Sequence, residues 1–167
     1  MSEQVTIDSL EFARQGRCLQ GEIAVAGLDS LREHLHASAG TLQYTLIGML
    51  GGNGKPRLVL SVNGELTLVC QRCLGPLAFP LAIEATLEPV KGGDSFLPLE
   101  GEDDLIDIVP ADAAMDVQAL VEEEVLLSLP IAPVHDLAEC AAAERLRKLA
   151  PGKSNPFEVL AALKKGR

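Results

Sequence analysis

Thr41-Leu-Gln-Tyr-Thr-Leu-Ile-Gly-Met-Leu50, then Gly51-Gly-Asn-Gly-Lys55, then Pro56-Arg-Leu-Val-Leu-Ser-Val-Asn-Gly-Glu-Leu-Thr-Leu-Val69 carries the strongest structural signal in the chain. In the first segment Leu42, Tyr44, Leu46 and Leu50 share one face at a period of two. In the third, Leu58, Leu60, Val62, Leu66 and Leu68 do the same. Successive side chains leave a strand on opposite faces, so this alternation is the mark of half-buried β-structure. The glycine-rich residues between the segments supply a turn, and the pair reads as a β-hairpin. Asn63-Gly64 admits two readings, a second tight turn or a bulge in one long strand.

Downstream, Leu77, Phe79, Leu81, Ile83, Ala85 and Leu87 alternate again. Pro80 falls in the opposite phase and lacks a backbone donor, which places this strand on an edge or at a bulge. Residues 89–104 are polar, acidic and glycine-containing and read as a mobile loop, with a short strand over 105–109 after it. Asp116 can cap a helix whose apolar positions are Val117, Leu120, Val121, Val125 and Leu129, ended by Pro130. Pro130 and Pro133 keep the following stretch extended. Residues 137–150 are Ala-rich and read as helical, closed by Pro151-Gly152, and Asn155-Pro156-Phe157-Glu158 begins a last helix with N-cap, N1 proline and an acid at N3. Upstream, Asp8 and Glu11 form a capping-box pattern for a helix over 9–15 stopped by Gly16. Leu19, Ile23 and Val25 alternate as a strand, and Leu28, Leu31 and Leu35 return at helical spacing, predicting a second short helix. No internal repeat is present. The order implies an α+β fold: a mostly antiparallel β-sheet, barrel-like closure included among its forms, with short N-terminal helices and C-terminal helices. Residues 1–150 are expected to form a single domain and 151–167 a basic C-terminal helix or tail.

The 167 residues are 47% hydrophobic and 23% charged, an ordinary globular balance that excludes a disordered or low-complexity chain. Aromatic residues are 3%, too few to offer a stacking platform for single-stranded bases. The net charge of −10 opposes non-specific binding to phosphate backbones. Charge is uneven: residues 84–124 hold 13 acids against Lys91, whereas residues 145–167 hold seven bases against Glu158. The first residues show neither a basic n-region nor an apolar h-region, and no apolar run approaches the roughly 20 residues that span a bilayer. A soluble, cytoplasmic chain is expected, its cysteines reduced or metal-bound and not a disulfide framework.

Cys70-Gln-Arg-Cys73-Leu-Gly75 between two strands is the most informative local motif. Two thiolates three positions apart can reach one tetrahedral ion, and the glycine lets backbone amides turn toward the sulfurs, as in a zinc knuckle. His135 and Cys140 can supply the missing pair, giving a Cys3His set for zinc. The competing reading is that free Cys packs as a small apolar residue, and Cys18 is read that way. Thiol–disulfide exchange is the second use of C-x-x-C, but the helix N-terminus that normally lowers the first thiol is missing from the pattern. His135-Asp136 raises a hydrolase reading; no nucleophile motif accompanies it, and Asp136 as an N-cap is the alternative. His34 and His36 are explained by solvent exposure. Glu122, Glu123 and Glu124 on one helix cannot all face one ion, and at least one should be half-buried. The loop 51–55 lacks the spacing of a phosphate-binding loop.

Three blocks in order, Cys70-Gln-Arg-Cys73, then Val121-Glu-Glu-Glu-Val-Leu-Leu-Ser-Leu-Pro-Ile-Ala-Pro-Val-His-Asp136 with Cys140, then Asn155-Pro-Phe-Glu-Val-Leu-Ala-Ala-Leu-Lys164, resemble the bacterial YceD family, the large ribosomal RNA subunit accumulation proteins. The resemblance runs from the first helix to the last. It implies a non-enzymatic factor in synthesis, processing or stability of 23S ribosomal RNA, with Cys70, Cys73, His135, Asp136, Cys140, Asn155, Pro156 and Phe157 at the family's motif positions. The implied partner is large-subunit ribosomal RNA or its precursor particle, with no membrane and no small-molecule substrate. Given the net charge, that partner is expected to be reached through a protein or ribonucleoprotein, with the basic tail as the point of RNA contact and Asn155, Pro156, Phe157, Lys164 and Lys165 as the partner-binding residues. The rivals are an enzyme, either a thiol oxidoreductase using Cys70 and Cys73 or an RNA-processing enzyme using His135, and a metal-stabilised protein-interaction module unrelated to RNA.

Overall fold

The computed structural model describes residues 5–91, 106–142 and Lys148. The 41–69 stretch forms two strands of a six-stranded sheet whose strands are β2 (Cys18–Ala24), β3 (Leu35–Ala37), β4 (Thr41–Leu50), β5 (Pro56–Val69), β6 (Pro76–Val90) and β7 (Ile106–Pro110). Their order is β2-β4-β5-β6-β7, with β3 beside the far end of β5. Two further short strands, β1 (Thr6–Ile7) and β8 (Met115–Asp116), pair separately. The helices are α1 (Ser9–Arg14) and α2 (Val117–Ser128).

All pairings are antiparallel except β6 with β7, which run parallel. The sheet is therefore mixed, and it stays open: β2 and β7 are its ends and no barrel closes. Asn63-Gly64 is neither a turn nor a bulge, since β5 keeps one unbroken register against β6 from Leu58↔Leu87 to Val69↔Pro76. Gly64 is there for space: a Cβ would stand 2.5 Å from Leu42 Cδ2 and 3.2 Å from the Thr41 carbonyl oxygen. Pro80 sits where β6 is paired with β5 on one side only, because β7 reaches just Thr86 to Val90, so its missing donor leaves no ladder bond unmade. The strand itself runs to Val90, past the expected start of the loop.

The core lies on one face of the sheet. Leu42, Tyr44, Leu46, Leu58, Leu60, Val62, Leu66, Leu68, Leu81 and Leu87 are buried against Phe12 and Ala13 of α1 and Val117, Leu120, Val121 and Val125 of α2. Leu50 departs from the expected face and is exposed, because β4 has by then run past α1 and is entering the turn. Both caps form: Asp8 Oδ1 accepts from the Glu11 amide at 2.8 Å, and Asp116 Oδ1 accepts from Gln118 and Ala119, while the Glu11 carboxylate accepts from Gln15 and not, as in a capping box, from Asp8. The second short helix expected near Leu28 is absent. Two 3-10 turns, Val25–Gly27 and Asp29–Leu31, take its place, and Leu35 begins β3. Leu28, Leu31 and Leu35 are buried all the same, so burial at that spacing is met without a helix. Cys18, expected to pack, is exposed at the start of β2, and His34 and His36 are exposed.

Of the helix expected over 137–150, residues 137–139 instead form a turn, while Ala141, Ala142 and Lys148 have helical backbone. The rest of the expected 137–150 helix after Ala142, the acidic stretch over 92–105, the boundary near residue 150 and the Asn155 helix lie outside the described residues. Among those described, no helix is long and apolar enough to cross a membrane.

Of the three consecutive acids, Glu122 and Glu124 are half-buried. Glu122 Oε1 accepts from the Ser30 amide, tying the second 3-10 turn to α2. Burial, followed by the charges of Asp107 and Glu123, raises the Glu124 carboxyl above the ordinary glutamate range. A folded-state value above the unfolded one means that ionisation opposes folding. The penalty is absent below the unfolded value and complete once the pH has risen through the folded one. Glu124→Gln should therefore stabilise the protein at neutral pH by less than about 1 kcal/mol, given partial solvent screening, and leave it unchanged at about pH 3. Urea titrations of both proteins at the two pH values check this.

Candidate metal centre

Cys70 follows the last residue of β5, and the chain reverses through Gln71, Arg72, Cys73 and Leu74 before β6 begins. The turn is closed by two backbone bonds, Cys70 N–H to the Gly75 carbonyl at 3.0 Å and Leu74 N–H to the Cys70 carbonyl at 2.8 Å. Leu74 takes a left-handed φ of +59°, which a leucine seldom adopts. The far segment arrives after α2 ends. Pro130 and Pro133 hold it extended, and the Pro133 carbonyl accepts from the Gln71 amide at 2.8 Å. Arg72 Nη1 donates a longer bond, 3.4 Å, to the His135 carbonyl.

These contacts bring Cys70, Cys73, His135 and Cys140 together, with one donor atom from each lying within 4.8 Å of all the others. Cys73 Sγ is 3.4 Å from His135 Nδ1. A tetrahedral zinc site has sulfur–nitrogen edges of about 3.6 Å and sulfur–sulfur edges of about 3.8 Å, from its usual bond lengths. The four side chains thus need only a small contraction to grip one ion. Cys70 and Cys140 are buried, Cys73 and His135 half-buried. Together with Leu77 and Ala142 they make a small cluster separate from the main core.

The surroundings favour thiolates at Cys70 and Cys140 and fix the orientation of the imidazole. His135 Nε2 lies 2.8 Å from the Pro76 carbonyl oxygen, which can only accept, so this nitrogen carries a proton and Nδ1 faces the sulfurs. The same carbonyl, ahead of the opposing effect of burial, raises the His135 pKa. For Cys70 burial pushes the thiol up, but backbone amides of His135, Cys73 and Arg72 bring it down to about 5. Burial also works against ionisation of Cys140 and is outweighed by the Ala142 amide and by Cys73 and His135. Cys73 receives the Gly75 amide, which lowers its pKa; burial and the two neighbouring sulfurs leave it raised, as expected when three thiols share one place. The C-x-x-C-x-G pattern thus works as anticipated, with the glycine's amide directed at the second sulfur.

All four side chains of the cluster were named from the sequence, but not their supports: the Pro76 carbonyl, the Ala142 amide and the link from Gln71 to Pro133 depend on a meeting of distant segments. The expected Asp136 N-cap is replaced by a backbone turn, in which the Asp136 carbonyl accepts from the Glu139 and Cys140 amides. Asn155, Pro156, Phe157, Lys164 and Lys165 lie outside the described residues.

A family model described as Large ribosomal RNA subunit accumulation protein YceD matches residues 58–164. The chain belongs to the YceD family. A YceD relative from Haemophilus influenzae, bearing the same description, is 30% identical over an alignment of 171 residues that spans 96% of this chain and 95% of its own. No solved structure matches. The YceD match begins within β5 and includes all four members of the cluster.

Proposed function

We propose that the protein acts in the accumulation of large-subunit ribosomal RNA, as a non-enzymatic factor in the synthesis, processing or stability of 23S RNA, and that Cys70, Cys73, His135 and Cys140 hold a structural zinc ion. The role is supported by the likeness, over nearly the whole chain, to a relative named for that accumulation. The zinc is supported by the donor set: three sulfurs and one nitrogen make a complete tetrahedral shell with no position left for substrate, as in structural sites. When bound, the ion supplies a cross-link between the β5–β6 turn and the segment after α2.

The enzyme readings have less to stand on. His135 has one nitrogen engaged by Pro76 and the other turned to the sulfurs, so neither is free to serve as a general base. Cys70 has the lowered thiol an oxidoreductase would use, but it is fully buried and cannot reach a protein disulfide. The RNA-bearing partner is met through protein, and the tail residues Asn155, Pro156, Phe157, Lys164 and Lys165 supply the contact. Removing the protein from its cell should lower the ratio of 23S to 16S RNA, and restoring it without residues 153–167 should fail to correct that ratio. Quantifying both RNAs checks this, and an unchanged ratio on removal of the whole protein would defeat the role.

A further inference from the structure

Several apolar side chains next to the cluster residues are exposed among the described residues. Leu74 is 70% exposed, Leu137 63% and Val134 42%, and Ile131 is fully exposed. The Cys73–His135 and Gln71–Pro133 contacts bring their two segments together: Leu74 follows Cys73, Val134 precedes His135 with Leu137 two residues beyond it, and Ile131 lies two residues before the Pro133 that bonds to Gln71. Isolated exposed leucines need no explanation, but a cluster on two segments that meet at one site does. Leu74 adds a second indication. A left-handed backbone suits glycine or asparagine, and here it carries a large apolar side chain that buries little of itself. Strain retained without a packing return is characteristic of functional surface.

Charge specifies what fits. From Pro130 to Cys140 the charged residues are Asp136 and Glu139, both exposed. Arg72, the one cation of the 70–77 turn, is half-buried and spends its guanidinium on the His135 carbonyl. A divalent ion held by three thiolates would leave one further negative charge. An apolar patch with an acidic border repels phosphate and attracts a cationic chain that carries apolar anchors.

We infer that Leu74, Ile131, Val134 and Leu137 form a docking surface for a basic polypeptide segment with apolar anchor residues, the chemistry of RNA-binding proteins and not of RNA. The inference deepens the function proposed above and rests on the closed metal centre, because that centre fixes the two segments against each other.

The test titrates the full-length, zinc-loaded protein with a short amphipathic peptide of leucine and lysine alone, a leucine–glutamate counterpart, and a fragment of 23S RNA. Zinc content and sedimentation are read on every sample. The leucine–lysine peptide should bind saturably and the other two at least about tenfold more weakly. Leu74→Gly and Leu137→Ser should each weaken peptide binding about tenfold while retaining zinc. Leu74→Gly removes the unfavourable φ, so its fold is not at risk. Equal binding of both peptides, RNA binding that depends on Leu74, absence of saturable binding, or self-association abolished by Leu137→Ser would overturn the inference. Lack of zinc in the unaltered protein would instead defeat the centre on which it rests, and an intact 23S ratio without the protein would defeat the biological role while leaving the peptide result standing.

Discussion

Cys140→Ser is expected to lower zinc affinity on the order of a thousandfold, since disturbing an outer-shell partner already costs about 10–100-fold and this change removes a ligand outright. Competition with a chromophoric chelator measures it. The structural consequence should be local. Cys70 and Cys140 belong to a cluster distinct from the core that α1 and α2 make with the sheet. Without the ion, the segment after Pro130 is held to the turn by the bonds of Gln71 to Pro133, Arg72 to His135 and His135 to Pro76. Amide hydrogen exchange should accelerate over residues 131–142 and at the 70–75 turn, while β4 and β5 keep their protection. Unchanged zinc affinity in Cys140→Ser would remove that residue from the centre.

Gly48→Val is the second large effect, directed at the fold itself. Gly48 lies in β4 beneath α1, and a Cβ there would collide with the Phe12 carbonyl oxygen and stand 2.7 Å from Ala13 Cα. Both are backbone atoms of a helix whose side chains, Phe12 and Ala13, are buried in the core, so the clash cannot be relieved by a rotamer change. We expect a loss of about 3 kcal/mol, at the upper end for overpacking. Gly52→Ala, in the turn after β4, has nothing within 4 Å of its added carbon and should change stability by less than about 0.5 kcal/mol. Chemical denaturation of the two variants beside the parent decides the matter, and comparable losses would mean that α1 does not rest on β4.

The difference between those glycines shows where sequence reading stops. The strands of the 41–69 hairpin were legible because alternation over many residues has one physical cause, a sheet with a single buried face. The caps at Asp8 and Asp116 were legible because capping is local. Leu28, Leu31 and Leu35 misled: a spacing of three and four also arises when the junction of two 3-10 turns, the second of those turns and a strand each contribute one buried residue. Nothing in the residues around Gly48 or Gly64 reveals which neighbour will occupy the missing side chain's place, and the parallel partner of β6 cannot be inferred from the pattern of β7 alone. The metal centre divides in the same way. Cys70, Cys73 and Gly75 form a local motif, whereas His135 and Cys140 join it across more than sixty residues through bonds made by Pro133 and Pro76.

Above all, those four side chains must share one ion. X-ray absorption at the zinc edge of the purified full-length protein tests this most directly. Three sulfurs at about 2.3 Å and one nitrogen at about 2.0–2.1 Å are expected. A shell of oxygen and nitrogen alone, or one unchanged when Cys70 is replaced by serine, would contradict it.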